Sequence, residues 1–181
     1  MPKRIGGVTY YAEDETARLF QVTVRTVRRW IARDLIESEV VDGTRLFREG
    51  VLRQILQVPE GNLFAVVRLG TRELGRLFRV DTNTAQKWCA QGYFGAIQTP
   101  GGDYLVVEAR VREYIGQPDG GLFADPFLTA TEVSTRLGIS VRNARYQGET
   151  NQIVSIVTPT GGNRLFRTSS VEAYRGAHTR D

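Results

Sequence analysis

The chain has 181 residues, of which 41% are hydrophobic, and a formal net charge of +4. This hydrophobic content is ordinary for a globular protein, and no apolar run reaches the about 18 residues of a membrane-spanning helix. The N-terminal segment Met1-Pro2-Lys3-Arg4-Ile5 lacks the apolar stretch of a secretion signal, so we expect a cytoplasmic location.

Two short helices are predicted near the N-terminus. Residues 14–20 form the first, Gln21-Val22-Thr23 interrupts the apolar spacing, and Thr23 is a good N-cap for the second. One face of the second helix forms an apolar stripe of Val24, Val27, Trp30 and Ile31. Its outward faces carry Arg25, Thr26, Arg28, Arg29, Ala32 and Arg33. Helices joined by such a turn form a helix-turn-helix, whose second helix can lie in the major groove of DNA.

A hairpin and a closing helix are predicted next. Two β-prone runs within residues 40–48 flank the turn signal Asp42-Gly43, and such a hairpin would carry Arg45 towards phosphate. Residues 49–56 then form a helix whose inward side chains are Leu52, Ile55 and Leu56. This order of elements is that of a small winged helix.

The same pattern occurs three times along the chain. Glu15 and Trp30 recur 58 residues later as Glu73 and Trp88, and Glu15 recurs again after 117 residues as Glu132. The predicted modules are residues 1–58, 63–116 and 122–177, with linkers at 59–62 and 117–121. We therefore expect a mainly α fold with short β-hairpin wings (α+β), built from three tandem modules. Modules of this size are near the lower limit for independent folding, so we expect packing between them.

The first module resembles the MerR-like superfamily, especially its excisionase-type members. The resemblance rests on the helix-turn-helix, on Trp30 at the end of the second helix, on the Gly43-Thr44-Arg45 wing and on the closing helix. It implies that the second helix reads the major groove and that the wing contacts the adjacent backbone, with Trp30 in the core. The implied DNA-facing residues are Thr23, Arg25, Thr26, Arg28, Arg29, Gly43, Thr44 and Arg45, and Arg33 extends the same outward face.

The second module keeps the predicted order of elements, but the residues on the outward face of its second helix differ. Asp81 or Thr82 caps a helix that turns Ala85 and Trp88 inward. Its candidate DNA-binding residues are Thr82, Asn83, Thr84, Gln86 and Lys87. Asn and Gln suit adenine, whereas Arg suits guanine. The wing at residues 99–103 ends in Asp103, where the first ends in Arg45, which weakens the expected backbone contact.

The third module departs furthest from the pattern. Gln147 stands at the tryptophan position and Gly148 follows it, and because glycine costs about 1 kcal/mol inside a helix, we expect this helix to end early. Its wing at residues 160–167 again contains an Arg-Leu-Phe-Arg run. The candidate DNA-binding residues are Ser140, Arg142, Asn143, Arg145, Asn163 and Arg164.

The inventory of reactive side chains argues against catalysis. Cys89 is the single cysteine and His178 the single histidine, so neither a disulfide, a cysteine-rich zinc site nor a nucleophile–base pair can be assembled. We expect Cys89 to be an inert buried thiol and His178 to be an exposed tail residue. The predictions are no enzyme activity, no cofactor, no metal and no small-molecule effector.

These features predict site-specific binding of double-stranded DNA. Three tethered modules add weak contacts, and direct repeats in the protein imply direct repeats in a site of roughly 25 to 35 bp, with modules about 10 bp apart. The simplest role is that of a nucleoid-associated transcription regulator, from a bacterium if the preference for Arg over Lys reflects a GC-rich genome. Two alternatives remain: an architectural role in recombination, partition or nucleoid organisation, and an adaptor that holds DNA with module 1 and a protein with modules 2 and 3.

Overall fold

A computed structural model describes residues 2–117 and 120–178. It is a mixed α/β structure with small antiparallel sheets, in which the order strand, two helices, hairpin, helix occurs three times. We call these sets the first, second and third units. The first contains β1 Lys3–Ile5, β2 Val8–Ala12, α1 Glu13–Leu19, α2 Val24–Ala32, β3 Glu39–Val41, β4 Thr44–Arg48 and α3 Glu49–Leu56.

Within the described residues, the other two units have no equivalent of β1. The second contains β5 Arg68–Gly70, α4 Thr71–Leu77, α5 Thr82–Ala90, β6 Ile97–Gln98, β7 Tyr104–Val107 and α6 Glu108–Ile115. The third contains β8 Phe127–Thr129, α7 Ala130–Leu137, α8 Val141–Glu149, β9 Ser155–Val157, β10 Arg164–Arg167 and α9 Thr168–His178. Across the two described ranges, every helix is too short or too polar to cross a bilayer.

The first helix of each unit begins with the same contact. The backbone N–H of the residue before the helix donates to the carboxylate of Glu15, Glu73 or Glu132, at 3.0, 2.9 and 2.7 Å respectively. A glutamate at this position satisfies an amide that has no partner within the helix. This contact explains why glutamate recurs at the period of the repeat.

The turn between the two helices is also repeated. Gln21, Arg79 and Gly138 each have a positive φ, of 54°, 55° and 67°, which lets the chain reverse within a few residues. The N-caps of the second helices are Thr23, Asp81 and Ser140. Asp81 rather than Thr82 is therefore the cap of α5.

The prediction that the second helix of the third unit ends early is wrong, because α8 continues to Glu149. A methyl group at Gly148 would lie 2.6 Å from Phe166 Cε1, 2.7 Å from Arg164 Cδ and 2.8 Å from Ser155 Oγ. The glycine therefore lets β10 approach the helix closely. Packing against the strand offsets the low helix propensity of glycine.

The predicted hairpin and closing helix of the first unit are confirmed. Asp42 and Gly43 have φ values of 51° and 73°, as a two-residue hairpin turn requires. Helix α3 follows with Leu52 and Leu56 fully buried. The equivalent hairpins of the other units have longer loops, which Gly102 and Gly161 close with hydrogen bonds to Thr99 and Thr158.

Packing between units is confirmed, because neighbouring units share hydrophobic cores. Ile97 and Leu105 from the second hairpin are buried in the core of the first unit. Leu165 and Phe127 of the third unit are buried in the core of the second. One face of each later sheet thus covers its own helices, and the other face covers the preceding unit.

Described residues at the ends of the connecting segments are held by the unit that the chain leaves. Arg53 Nη1 donates to Val58 O at 3.2 Å and Arg112 Nη1 donates to Gln117 O at 3.5 Å. Leu63 is buried in the core of the first unit, as Leu122 is in that of the second. These anchors set the position from which the next unit begins.

Tryptophan side chains form a second contact across each boundary. A methyl group on Gly101, in the second hairpin loop, would lie 2.4 Å from Trp30 Nε1, so this loop packs directly on the indole. At the next boundary Trp88 Nε1 donates to Thr160 Oγ1 in the third hairpin loop, at 3.4 Å. Both indoles are core residues as well, with exposures of 2% and 1%.

Candidate nucleic-acid interface

The outward face of α2 carries a cluster of exposed guanidinium groups. Arg25, Arg29 and Arg33 are all exposed, and none of them forms an ion pair with any residue of the described ranges. Arg28 is exposed too, but its Nε donates to Glu13 Oε2 on α1 at 2.6 Å. The inward stripe is as predicted, with Val27 and Trp30 buried.

The closing helices and the second helices differ in whether their basic side chains form ion pairs with acids. On the closing helices, ion pairs within the helix hold Arg53, Arg110, Arg112 and Arg175. On the second helices, the basic residues are Arg25, Arg28, Arg29, Lys87, Arg142 and Arg145. Of these six, Arg28 alone has an ion-pair partner within residues 2–117 and 120–178. The other five cations of the second helices are therefore available to an external anion.

The threonines of α2 serve the helix terminus. Thr23 Oγ1 accepts a hydrogen bond from Thr26 N at 3.2 Å and lies 3.0 Å from Thr26 Oγ1. Thr23 is exposed, whereas Thr26 is half-buried. Their hydroxyls thus position the first turn of α2, where helix amides are exposed and the helix dipole attracts anions.

The first hairpin projects beside α2 with Thr44 and Arg45 both exposed. Arg45 lies at a cavity of about 440 Å³, which it shares with Asp34, Glu37 and Arg48. Arg48 is paired with Glu39 on the neighbouring strand. The guanidinium of Arg45 therefore lies in a mixed-charge setting rather than in a purely basic one.

In the second unit, three of the predicted polar residues lie on one exposed face of α5. Asn83, Gln86 and Lys87 line a groove of about 430 Å³ together with Gln98 and Tyr104 of the hairpin. The groove lies between the helix and its own hairpin.

One further candidate of the second unit, Thr84, is held by the N-cap of α5. Thr84 donates to Asp81 from its N–H at 2.8 Å and from its Oγ1 at 2.7 Å. These bonds hold the pKa of Asp81 below its usual value, so the carboxylate stays charged at neutral pH. Thr82 is exposed at the first position of α5.

The second helix of the third unit has fewer predicted DNA-binding side chains that are free of bonds within the helix. Arg142 and Arg145 are exposed, but Ser140 Oγ accepts from Asn143 N at 3.1 Å and Asn143 Oδ1 accepts from Gln147 Nε2 at 3.0 Å. Ser140 and Asn143 thus stabilise α8 itself.

The third hairpin differs from the prediction at Arg164. Its Nη1 donates to Gly148 O at 3.2 Å and to Ser155 Oγ at 2.9 Å, so the guanidinium ties the hairpin to the end of α8 instead of extending outward. Asn163, in the loop, is exposed. A phosphate contact from this hairpin would have to come from Asn163 and the loop backbone.

The two remaining reactive side chains are Cys89 and His178. Cys89 is buried, as predicted, and burial raises the pKa of its thiol to about 11. His178 is exposed and its ring stacks on Tyr174, with ring centroids 4.0 Å apart. No group of three potential metal ligands occurs within the part of the chain that the structure describes.

Comparisons of the chain with protein families, with characterised proteins and with solved structures give no match. Sequence reasoning placed the basic face of α2 but missed the contacts of Trp30 and Trp88 with the following hairpin. A signal for these contacts was present in the replacement of the tryptophan by Gln147 in the third unit, where no described hairpin covers the position.

Proposed function

We propose that the chain binds double-stranded DNA site-specifically through three tandem winged helix-turn-helix units, most simply as a transcription regulator. The observation that carries the proposal is the concentration of unpaired cations on the second helices. A second helix that follows a tight turn can enter the major groove, and Lys and Arg that are free of acids can replace the counterions of the phosphate backbone.

The side chains differ between units in a way that suits base reading. Arg25 and Arg29 on α2 have the forked donors that match the acceptors of guanine, whereas Asn83 and Gln86 on α5 match adenine. Arg142 on α8, like Arg25 and Arg29, has donors that match guanine. A composite site with guanine-rich contacts at its two ends and adenine between them is the expected target.

The hairpins divide into two kinds. The first is open, with Thr44 and Arg45 exposed, and is the best candidate for a wing that contacts the DNA backbone. The second and third loops pack on Trp30 and Trp88 of the preceding units. Their main role in this proposal is to fix the spacing of the second helices.

A second candidate function, an adaptor, is favoured by one feature of the third unit. Tyr146 is 58% exposed at the position that Arg29 and Lys87 occupy in the other second helices. With Arg164 held inside the unit, this face is more apolar than its equivalents and suits a protein surface. An architectural role would use the same DNA contacts as a regulator.

The test compares Arg25→Ala/Arg29→Ala with the wild-type chain. The probe is a pool of fluorescent 40-bp duplexes with a randomised centre, measured by anisotropy, and selection from this pool supplies the preferred sequence. Because each arginine that contacts a base edge contributes about 1–3 kcal/mol, we expect the variant to lose most of its affinity for the selected sequence.

The matched control is Arg110→Ala/Arg175→Ala, which removes the same charge from closing helices where both residues pair with acids. We expect nearly wild-type affinity for this variant. Equal loss in both variants would mean that net charge alone governs binding and would contradict reading by α2. Loss from Arg25→Ala/Arg29→Ala with no effect of Arg142→Ala/Arg145→Ala would favour the adaptor.

A further inference from the structure

A groove of about 700 Å³ lies at the boundary between the second and third units, on the side of the turn that joins α4 to α5. Its basic side chains are Arg72, Arg76 and Arg79, and its apolar wall is formed by Phe123 and Pro126. Phe123 is 45% exposed. The groove therefore combines cations with an accessible aromatic ring.

The groove carries more positive than negative charge. Arg72 and Arg76 are exposed and have no ion-pair partner within the described ranges. Arg79 is bound to Glu132 across the boundary. Asp81 also lines the groove and adds one negative charge there, so Arg72 and Arg76 leave the groove with a net positive charge.

The cluster is specific to the second unit. The residues equivalent to Arg72, Arg76 and Arg79 are Asp14, Arg18 and Gln21 in the first unit and Thr131, Thr135 and Gly138 in the third. Arg18 is paired with Asp14, so the first unit has no free cation at these positions. Scaffold packing alone does not account for three arginines in one unit, since the other units keep the same helix and turn without them.

The groove is continuous with the proposed reading face. Thr82, the first residue of α5, lines the groove, and Asn83 follows it on the exposed face of the same helix. A duplex that places base edges against α5 must bring a backbone strand past the start of that helix. Arg72 and Arg76 are four residues apart on α4 and so lie on one face of it.

We propose that this groove binds the phosphodiester backbone of the duplex that the second unit reads, with Arg72 and Arg76 as the phosphate contacts and Phe123 against the sugar. This inference rests on the proposed function. It makes the second unit, whose hairpin loop is packed on Trp30, dependent on α4 instead of a wing for its hold on the backbone.

The test is the salt dependence of duplex binding by Arg72→Ala/Arg76→Ala in the full chain. Each phosphate contact contributes about 0.9 to the slope of log affinity against log salt, so we expect the slope to fall by roughly 1.8. Arg72→Lys/Arg76→Lys keeps the charges and is expected to keep the slope. Arg110→Ala/Arg175→Ala removes the same charge elsewhere and is expected to change the slope little.

The outcomes separate this inference from the proposed function. If binding depends on Arg25 and Arg29 while Arg72→Ala/Arg76→Ala matches the control, the groove assignment is overturned and the proposed function stands. If the wild-type chain does not bind duplex, both are overturned. A larger effect of Phe123→Ala on a single strand than on the duplex would also overturn the duplex assignment.

Discussion

Gly148 lies where helix α8 meets strand β10, and its missing side chain is what lets the two elements touch. A methyl group at this position would lie 2.6 Å from Phe166 Cε1 and 2.8 Å from Ser155 Oγ. Residue identity here is set by the distance between elements and not by helix propensity. The sequence alone favoured the opposite interpretation, because propensity is a local property and the position of β10 is not.

We expect Gly148→Ala to destabilise the protein by about 1–3 kcal/mol, the cost of inserting a methyl group into a packed site. Urea unfolding followed by circular dichroism measures the change. The control is Gly50→Ala in α3, where the added methyl meets nothing within 4 Å and is expected to stabilise by up to about 1 kcal/mol. A stabilised Gly148→Ala variant would contradict the close contact between helix and strand.

At the scale of single elements, the helices of the first unit could be predicted almost to the residue. The apolar stripe, the Thr23 cap and the Asp42-Gly43 turn are local signals, and α2, the hairpin and α3 lie where these signals predict. The pairing of Arg28 with Glu13 and the inward bonds of Arg164 could not be predicted. Both depend on how two elements approach each other.

The contact between the second hairpin and α2 is a further element-scale feature with a direct test. A methyl group on Gly101 would lie 2.4 Å from Trp30 Nε1, so Gly101→Ala should push the hairpin away from the indole. We expect destabilisation of about 1–3 kcal/mol and a changed tryptophan emission spectrum.

The control for Gly101→Ala is Gly162→Ala in the third hairpin loop, which has nothing within 4 Å of the added methyl. We expect it to leave both stability and emission nearly unchanged. Similar effects of the two substitutions would show that loop glycines matter for backbone conformation only and would remove the role assigned to Trp30.

Helix α7 is joined to the turn that follows α4 by the ion pair of Glu132 with Arg79. Partial burial raises the pKa of Glu132, but the bonds from Thr129 and the charges of Arg79 and Arg136 outweigh burial and leave the pKa lowered. A carboxyl whose pKa is lower in the folded protein stabilises it above the unfolded pKa, and this contribution is lost as the pH falls through the folded value.

We therefore expect the difference in unfolding free energy between wild type and Glu132→Gln to be largest near neutral pH and to shrink below about pH 5. Urea unfolding at a series of pH values measures this difference. Arg79→Ala removes one of the causes and is expected to reduce the pH dependence without abolishing it. A difference that is constant with pH would contradict the lowered pKa.

On the scale of the whole molecule, the units are parts of one packed array. The core of the first unit contains Leu105 of the second, and the core of the second contains Leu165 of the third. The periodicity of the sequence predicted the number of units, but it could not show that each hairpin completes the core of the unit before it. That arrangement depends on residues that look locally like ordinary strand positions.

Interlocked cores predict a single cooperative unfolding transition. Leu105→Ala should destabilise by about 2–5 kcal/mol and shift the circular dichroism and tryptophan fluorescence transitions together, because its side chain belongs to the core that contains Trp30. Leu35→Ala, at a site 43% exposed, is the control and is expected to have a small effect. Two separate transitions would show that the units fold independently.

The central claim is that several second helices contact one duplex, and the salt dependence of binding by the full chain tests it most directly. Each contact adds about 0.9 to the slope of log affinity against log salt. We predict that the wild-type slope falls with Arg25→Ala/Arg29→Ala and falls further when Arg142→Ala/Arg145→Ala is added. A slope that neither pair of substitutions changes would contradict DNA binding by these helices.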